Sequence, residues 1–127
     1  MSKKVLVFGM TDNPGGMESC VMNYYRNINP DKVQFDFLCN WEQMVYADEV
    51  MKNGSKIYTI PQRSKDYKAY KKAMDKFFEK HAGEYDVFWY NTCTLTNIDY
   101  LIYAKKYGIK KRIIHAHNSG NETTLLR

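Results

Sequence analysis

Apolar and polar positions along the chain follow two alternating periods, and each change of period marks an element. VLVFGM, from Val5 to Met10, is an unbroken apolar run, as expected of a strand buried on both faces. From Met17 to Ile28 the period lengthens. Val21, Tyr24, Tyr25 and Ile28 recur at helical spacing, and Pro30 ends the helix. VQFDFLC, Val33 to Cys39, alternates in its first half and reads as a second strand. Glu42 to Asn53 predicts a weaker helix with Gly54 at its C-terminal end. KIYTI, Lys56 to Ile60, is a third strand closed by Pro61. Ser64 to His81 is the clearest helix, with Tyr67, Tyr70, Met74, Phe77 and Phe78 on one stripe and Gly83 as its breaker. DVFWY, Asp86 to Tyr90, is a fourth strand. Leu95 to Tyr107 predicts a helix carrying Ile98, Leu101 and Ile102, ended by Gly108, and RIIHA, Arg112 to Ala116, is a fifth strand. Asn118 to Arg127 is polar and then apolar at Leu125 and Leu126, a loop entering a further element. Strands alternating with helices predict an α/β domain: a Rossmann-like parallel sheet of about five strands, right-handed crossovers, and helices on both faces.

Composition narrows the class. The 127 residues suffice for one domain with one core. Tyrosine dominates the aromatics; its ring packs while its hydroxyl stays near water, which suits carbohydrate or interface contacts as well as half-buried packing. The net charge of +5 is lysine-rich and densest from Lys65 to Lys80, which favours anionic partners such as nucleotides or phospholipids. Nucleic acid is disfavoured, because no docking motif is present and the lysines are scattered over several elements. The three cysteines, Cys20, Cys39 and Cys93, lack any C-x-x-C spacing, so neither a zinc site nor a disulfide framework is suggested. The apolar run after Lys4 is too short for a signal peptide, and no segment approaches the length that spans a bilayer. A reducing, cytoplasmic setting is expected.

In open parallel sheets ligands bind beyond the carboxyl ends of the strands, near the point where strand order reverses. Three segments end at that edge: Gly9 to Met17, Tyr90 to Thr96, and His115 to Gly120. In the first, Gly15 and Gly16 permit positive φ and close approach of backbone to a ligand. The helix that follows presents unpaired N–H groups and partial positive charge, able to hold a phosphate or a sugar hydroxyl, with Glu18 in its first turn. A tight turn that needs glycine only for geometry explains the same residues. The spacing matches neither G-x-G-x-x-G nor a P-loop. In the second segment Asn91, Thr92 and Thr94 place small polar groups at the strand end, and Thr94 also suits a helix cap. Cys93 has no partnered base and reads as an inert thiol. In the third, His115 and His117 are two apart and share a strand face, where imidazole can hydrogen-bond a hydroxyl or phosphate. Asn118 and Ser119 add donors just beyond, or cap a turn. No third ligand of fixed spacing accompanies the histidines, so no metal is expected.

The ordered set KVLVFGMTDNPGGMESCVMNYYRNI, QFDFLC, NGSKIYTIP, KKAMDKFFEKH, YDVFWYN and AKKYGIKKRIIHAHNS resembles the N-terminal domain of bacterial glycosyltransferases of family 4, which have the GT-B fold and act in capsular and exopolysaccharide synthesis. The likeness runs over nearly the whole chain. Its most specific pieces are the glycine pair leading into Met17 and Glu18, and H-x-H-N after the fifth strand. The resemblance implies an acceptor-side domain facing a second, donor-binding domain across a cleft. It also implies retention of anomeric configuration with no bound metal, and a nucleotide sugar, often UDP- or GDP-linked, as donor. Gly15 and Gly16 would then approach the donor diphosphate, and His117, with His115 as second choice, would reach the transferred sugar.

The family's second domain carries the Glu and basic residues that hold the donor, and residues 1–127 contain none of it. Half a cleft cannot position the dipoles and charges that stabilise a leaving diphosphate. The isolated chain is therefore expected to be inactive as a transferase and to bind donor poorly. Lys65, Lys68, Lys71, Lys72, Lys76 and Lys80 around the aromatic stripe add the expectation of peripheral contact with the anionic inner membrane face, against a plain solvated helix. Two other readings compete: a non-catalytic Rossmann-like binding module, and a nucleotide-binding enzyme of flavodoxin-like topology.

Overall fold

The computed structural model describes residues 3–92 and 98–116. Five strands, β1 (Lys3–Phe8), β2 (Val33–Cys39), β3 (Ile57–Thr59), β4 (Val87–Thr92) and β5 (Lys111–Ala116), form one sheet in the order β3-β2-β1-β4-β5. Every neighbouring pair is parallel, with Val5 opposite both Phe35 and Val87. The helices are α1 (Gly16–Asn27), α2 (Ala47–Lys52), α3 (Tyr67–His81) and α4 (Asp99–Lys106), with a 3₁₀ turn at Ala82–Glu84. This is the α/β, Rossmann-like arrangement that the alternating periods predict.

The order explains why helices cover both faces. The chain moves outward from β1 to β3, then returns to the far side of β1 for β4 and β5. Crossovers of one hand must then lie on opposite faces before and after that reversal. Side-chain alternation along β1 matches. Val5 and Val7 join Phe35, Phe37 and Trp89 against Val21 and Met22 of α1 and Val50 of α2. Leu6 joins Leu38, Phe88 and Tyr90 against Tyr70, Met74 and Phe78 of α3 and Tyr100 of α4.

A buried acid ties the amino ends of three strands together. Asp36 of β2 is almost fully enclosed. One oxygen accepts the Tyr85 hydroxyl at 2.6 Å, the other accepts the Lys56 N–H at 2.9 Å, and Lys4 Nζ lies 3.8 Å away. Asp86 accepts the Lys4 N–H at 2.9 Å, and its own N–H returns to the Lys4 carbonyl at 2.9 Å. Burial first, and then the Asp36 carboxylate, push the Tyr85 phenol well above its ordinary range.

Several boundaries differ from those the pattern predicts, and three of them have a clear cause. β1 stops at Phe8, not Met10, because Gly9 turns away with φ of +128°. The helix expected from Glu42 begins only at Ala47: the Val45 N–H is drawn to the Thr11 carbonyl at 2.8 Å, and Tyr46 adopts a left-handed φ of 64°. A tertiary bond here overrides a weak helical pattern. The clearest helix starts at Tyr67 rather than Ser64, because Asp66 caps it by accepting the Ala69 N–H at 3.1 Å. Residues 95–97 of the expected fourth helix lie outside the described residues.

Two outcomes follow. Tyr85→Phe leaves one Asp36 oxygen without its strongest donor and should cost about 1–3 kcal/mol, read from urea unfolding. Stability should also fall as pH rises from 9 toward 11. Burial pushes the Cys39 thiol from its ordinary 9.0 up to about 11. Between those values ionisation favours the unfolded chain, by up to ~2–3 kcal/mol. Unfolding of Cys39→Ala at pH 7.5, 9 and 10 should show a shallower decline.

Candidate functional site

The switch point falls between β1 and β4, the two strands from which the sheet grows in opposite directions. Gly9 leaves β1 there. A Cβ at this position would lie 2.5 Å from the Asn91 carbonyl oxygen and 2.7 Å from the Asn91 Cβ. Only glycine accommodates both that approach and its φ. Asn91, nearly fully buried, donates from Nδ2 to the Phe8 carbonyl at 3.2 Å. The carbonyl it satisfies is the last of β1.

From Gly9 the chain loops to α1. Gly15 is the N-cap, with an extended backbone at φ −92°, and Gly16 opens the helix. Neither glycine has the positive φ that the sequence alone suggests; that conformation belongs to Gly9. A Cβ on Gly15 would approach Glu18 Oε1 to 3.0 Å, while one on Gly16 would meet nothing within 4 Å. Gly16 is exposed, and the first N–H groups of the helix it opens have no intrahelical acceptor.

Glu18 is buried and braces the loop. Its Oε1 accepts the Gly15 N–H at 3.2 Å, and its Oε2 accepts the Thr11 hydroxyl at 2.6 Å. The Asn13 N–H donates to the same Thr11 oxygen at 3.2 Å. Both carboxylate oxygens therefore hold the turn in shape, and the carboxylate sits within the positive end of the helix.

On the other side of Asn91 lies β5. His115 stands in register with Asn91, and its ring stacks on Trp89 with centroids 6.2 Å apart. Since Trp89 packs with the α1 and α2 core, His115 is on the face that α1 covers, at the same edge as Gly9. Asn91 and Thr92 belong to β4 itself rather than to a loop. Thr94, Cys93, His117, Asn118 and Ser119 lie outside the described residues. Among the described residues no three His, Cys, Asp or Glu side chains converge, so none is assigned as a metal ligand.

Among the described residues two hollows open on this edge. One of about 270 Å³ sits at the switch point, between Phe8, Gly9, Met17, Asn40, Asn91 and Thr92. A wider, open depression of about 910 Å³ adjoins it through Asn40 and runs over the ends of β2 and β3, past Asp12, Trp41, Gln43, Gln62 and Lys65. The part of this wall from residue 42 to 45 was hidden in the sequence by a weak helical pattern. The signal that points to it, the bond from Val45 to Thr11, is not local.

Comparison with known proteins shows a likeness along nearly the whole chain. The chain is 29% identical over 122 residues, 95% of its length, to "Putative glycosyltransferase EpsF" of Bacillus subtilis (strain 168). It spans 32% of that relative's length. No family model matches the chain. No solved structure matches it.

Gly9→Ala should cost about 3 kcal/mol or more, since φ and the Asn91 carbonyl both oppose it. Gly16→Ala should stay within about 1 kcal/mol of the parent, because its new methyl meets open space. Urea midpoints of the two variants check the contrast.

Proposed function

We propose that the chain is the acceptor-side, Rossmann-like half of a cytoplasmic GT-B glycosyltransferase of family 4. The whole enzyme would move a hexosyl group, with retention and without a metal, from a nucleotide diphosphate sugar to a glycan or lipid-linked acceptor. The observation that carries this reading is a helix N-terminus left bare by Gly16 beside the switch point. The similarity to a protein described as a glycosyltransferase, running along 95% of this chain, supports the chemistry.

In such a transfer the bond between the anomeric carbon and the diphosphate breaks, and charge gathers on the leaving phosphate oxygens. Fixed N–H dipoles stabilise that charge without having to reorganise. Gly16 and Met17 offer those N–H groups, and the absence of a Cβ at Gly16 lets a phosphate come close. Glu18, already engaged with Thr11 and Gly15, would hold the turn rather than touch the donor. His117, or failing it His115, would face the sugar. Asn118 and Ser119 would add contacts on the donor side, and Asn91, Thr92 and Thr94 would supply hydroxyl and amide contacts on the acceptor side. A second lobe must close the gap, so these residues alone should not transfer sugar.

The test uses the longer protein of which we propose this chain is the first part. Given UDP- or GDP-linked sugars and a polysaccharide precursor, it should release nucleoside diphosphate, while the 127-residue chain releases none. Gly16→Val should lower kcat/KM roughly tenfold or more with the melting temperature unchanged. An unchanged kcat/KM would remove Gly16 from the donor site. Binding of a sugar by the long protein with no turnover of any donor would favour a non-catalytic module.

A further inference from the structure

A buried hydroxyl beneath the carboxyl edge lacks a hydrogen-bond partner among the described residues. It belongs to Tyr100, in the first turn of α4, which is 1% exposed. Neighbouring phenols fare differently. Tyr70 donates to the Asp99 carboxylate at 3.1 Å, and Tyr90 is engaged by the Thr92 side chain. Farther off, Tyr85 donates to Asp36 at 2.6 Å and Tyr107 to Asp75 at 3.0 Å. An enclosed hydroxyl left bare keeps its full desolvation cost. Phenylalanine would fill the same space without it.

The ring shows where the hydroxyl points. Tyr100 lies on Phe8 of β1 with centroids 4.0 Å apart, and Tyr90 of β4 is 6.2 Å away. Since α4 follows β4, a side chain that covers Phe8 has reached back over β4 toward the end of β2. The groups that act on the phenol agree. Burial first, and then Tyr70, Tyr90 and Cys39, push its pKa up, while the Asn40 side chain draws it down. Asn40 follows directly on β2, is half-buried, and belongs to the walls of both hollows. Phe8 belongs to the wall of the smaller one. The bare hydroxyl therefore sits one layer beneath the passage between the two hollows.

A carboxamide carries an acceptor at one end and a donor at the other. Whichever end faces the phenol, the opposite end faces the hollow. The phenol proton needs an acceptor, and a carboxamide oxygen accepts better than the phenols and the thiol that are its other neighbours. We propose that Tyr100 is a positioning residue: its hydroxyl donates to Asn40 Oδ1 when a ligand is seated, and so presents the Asn40 NH₂ to a sugar hydroxyl oxygen in the hollow. Asn40 touches the substrate, and Tyr100 sets which end of its amide does so. The assignment rests on the transferase reading, in which the sugar of the donor or of the acceptor occupies that hollow.

The test has two arms. The first needs no substrate. Tyr100→Phe in the 127-residue chain should hold or raise the melting temperature, because the free protein loses no hydrogen bond. The second uses the longer protein with UDP- or GDP-linked sugars and a polysaccharide precursor, following release of nucleoside diphosphate. Tyr100→Phe should raise one KM roughly fivefold and change kcat by less than about twofold. Asn40→Ala should raise the same KM by as much or more, and the double variant should be no worse than Asn40→Ala. A higher KM for the nucleotide sugar puts the donor's sugar in the hollow; a higher KM for the precursor puts the acceptor's there. A melting temperature lowered by several degrees in Tyr100→Phe would overturn the proposal, since the hydroxyl would already be bonded in the free protein. Unchanged KM values would overturn it too, as would effects of the two substitutions that simply add. In each of these cases turnover by the parent leaves the transferase reading standing, whereas no turnover by the parent overturns both.

Discussion

The approach of Gly9 to Asn91 is the contact on which the carboxyl edge of this sheet depends. Two strands leave the switch point in opposite directions of growth, and their connections must part there. Gly9 lets β1 turn aside within 2.5 Å, measured from its absent Cβ, of the Asn91 carbonyl. The Asn91 side chain then donates to the last β1 carbonyl, tying the two strand ends together. Everything downstream inherits this geometry: the loop pinned by Thr11 and Glu18, the start of α1, and the place of His115 one strand over.

The two ends of the sheet are built on different principles. At the amino ends, Asp36, Tyr85, Lys4 and Asp86 spend their polar groups on one another, and the Lys4 ammonium also lies 5.2 Å from the centre of the Tyr85 ring. That end is closed. At the carboxyl ends polar groups brace the loops but leave the helix N–H groups, Asn40 and the walls of two hollows facing outward.

Much of this was legible in the sequence. The unbroken VLVFGM and the alternating VQFDFLC gave two central strands and, by their order with the helices, the parallel fold. The tyrosine and phenylalanine stripe of α3 gave its buried face. What stayed hidden was what depends on distant partners. Gly9 sits inside an apolar run and reads as part of a strand; only its approach to a residue 82 positions later marks it as the glycine that must be glycine, since Asn91 minus Gly9 spans that distance. The glycine pair drew attention instead, although Gly15 needs no special backbone and Gly16 matters for the space it leaves. Residues 42–45 looked helical until Thr11 claimed the Val45 N–H. Lysine density was visible as composition, but its placement on exposed positions of α3 required the helix.

On the proposed function, the switch-point rim is the part of residues 1–127 that meets the nucleotide diphosphate sugar. Amide chemical-shift mapping on the ¹⁵N-labelled chain, titrated with millimolar UDP- and GDP-linked sugars, tests it most directly. The account predicts weak, saturable shifts at Gly9, Gly16, Met17 and Thr92, with Asp36, Tyr85 and Asp86 unmoved. Shifts confined to the amino ends of the strands, or none at any residue of the rim while other amides respond, would contradict it.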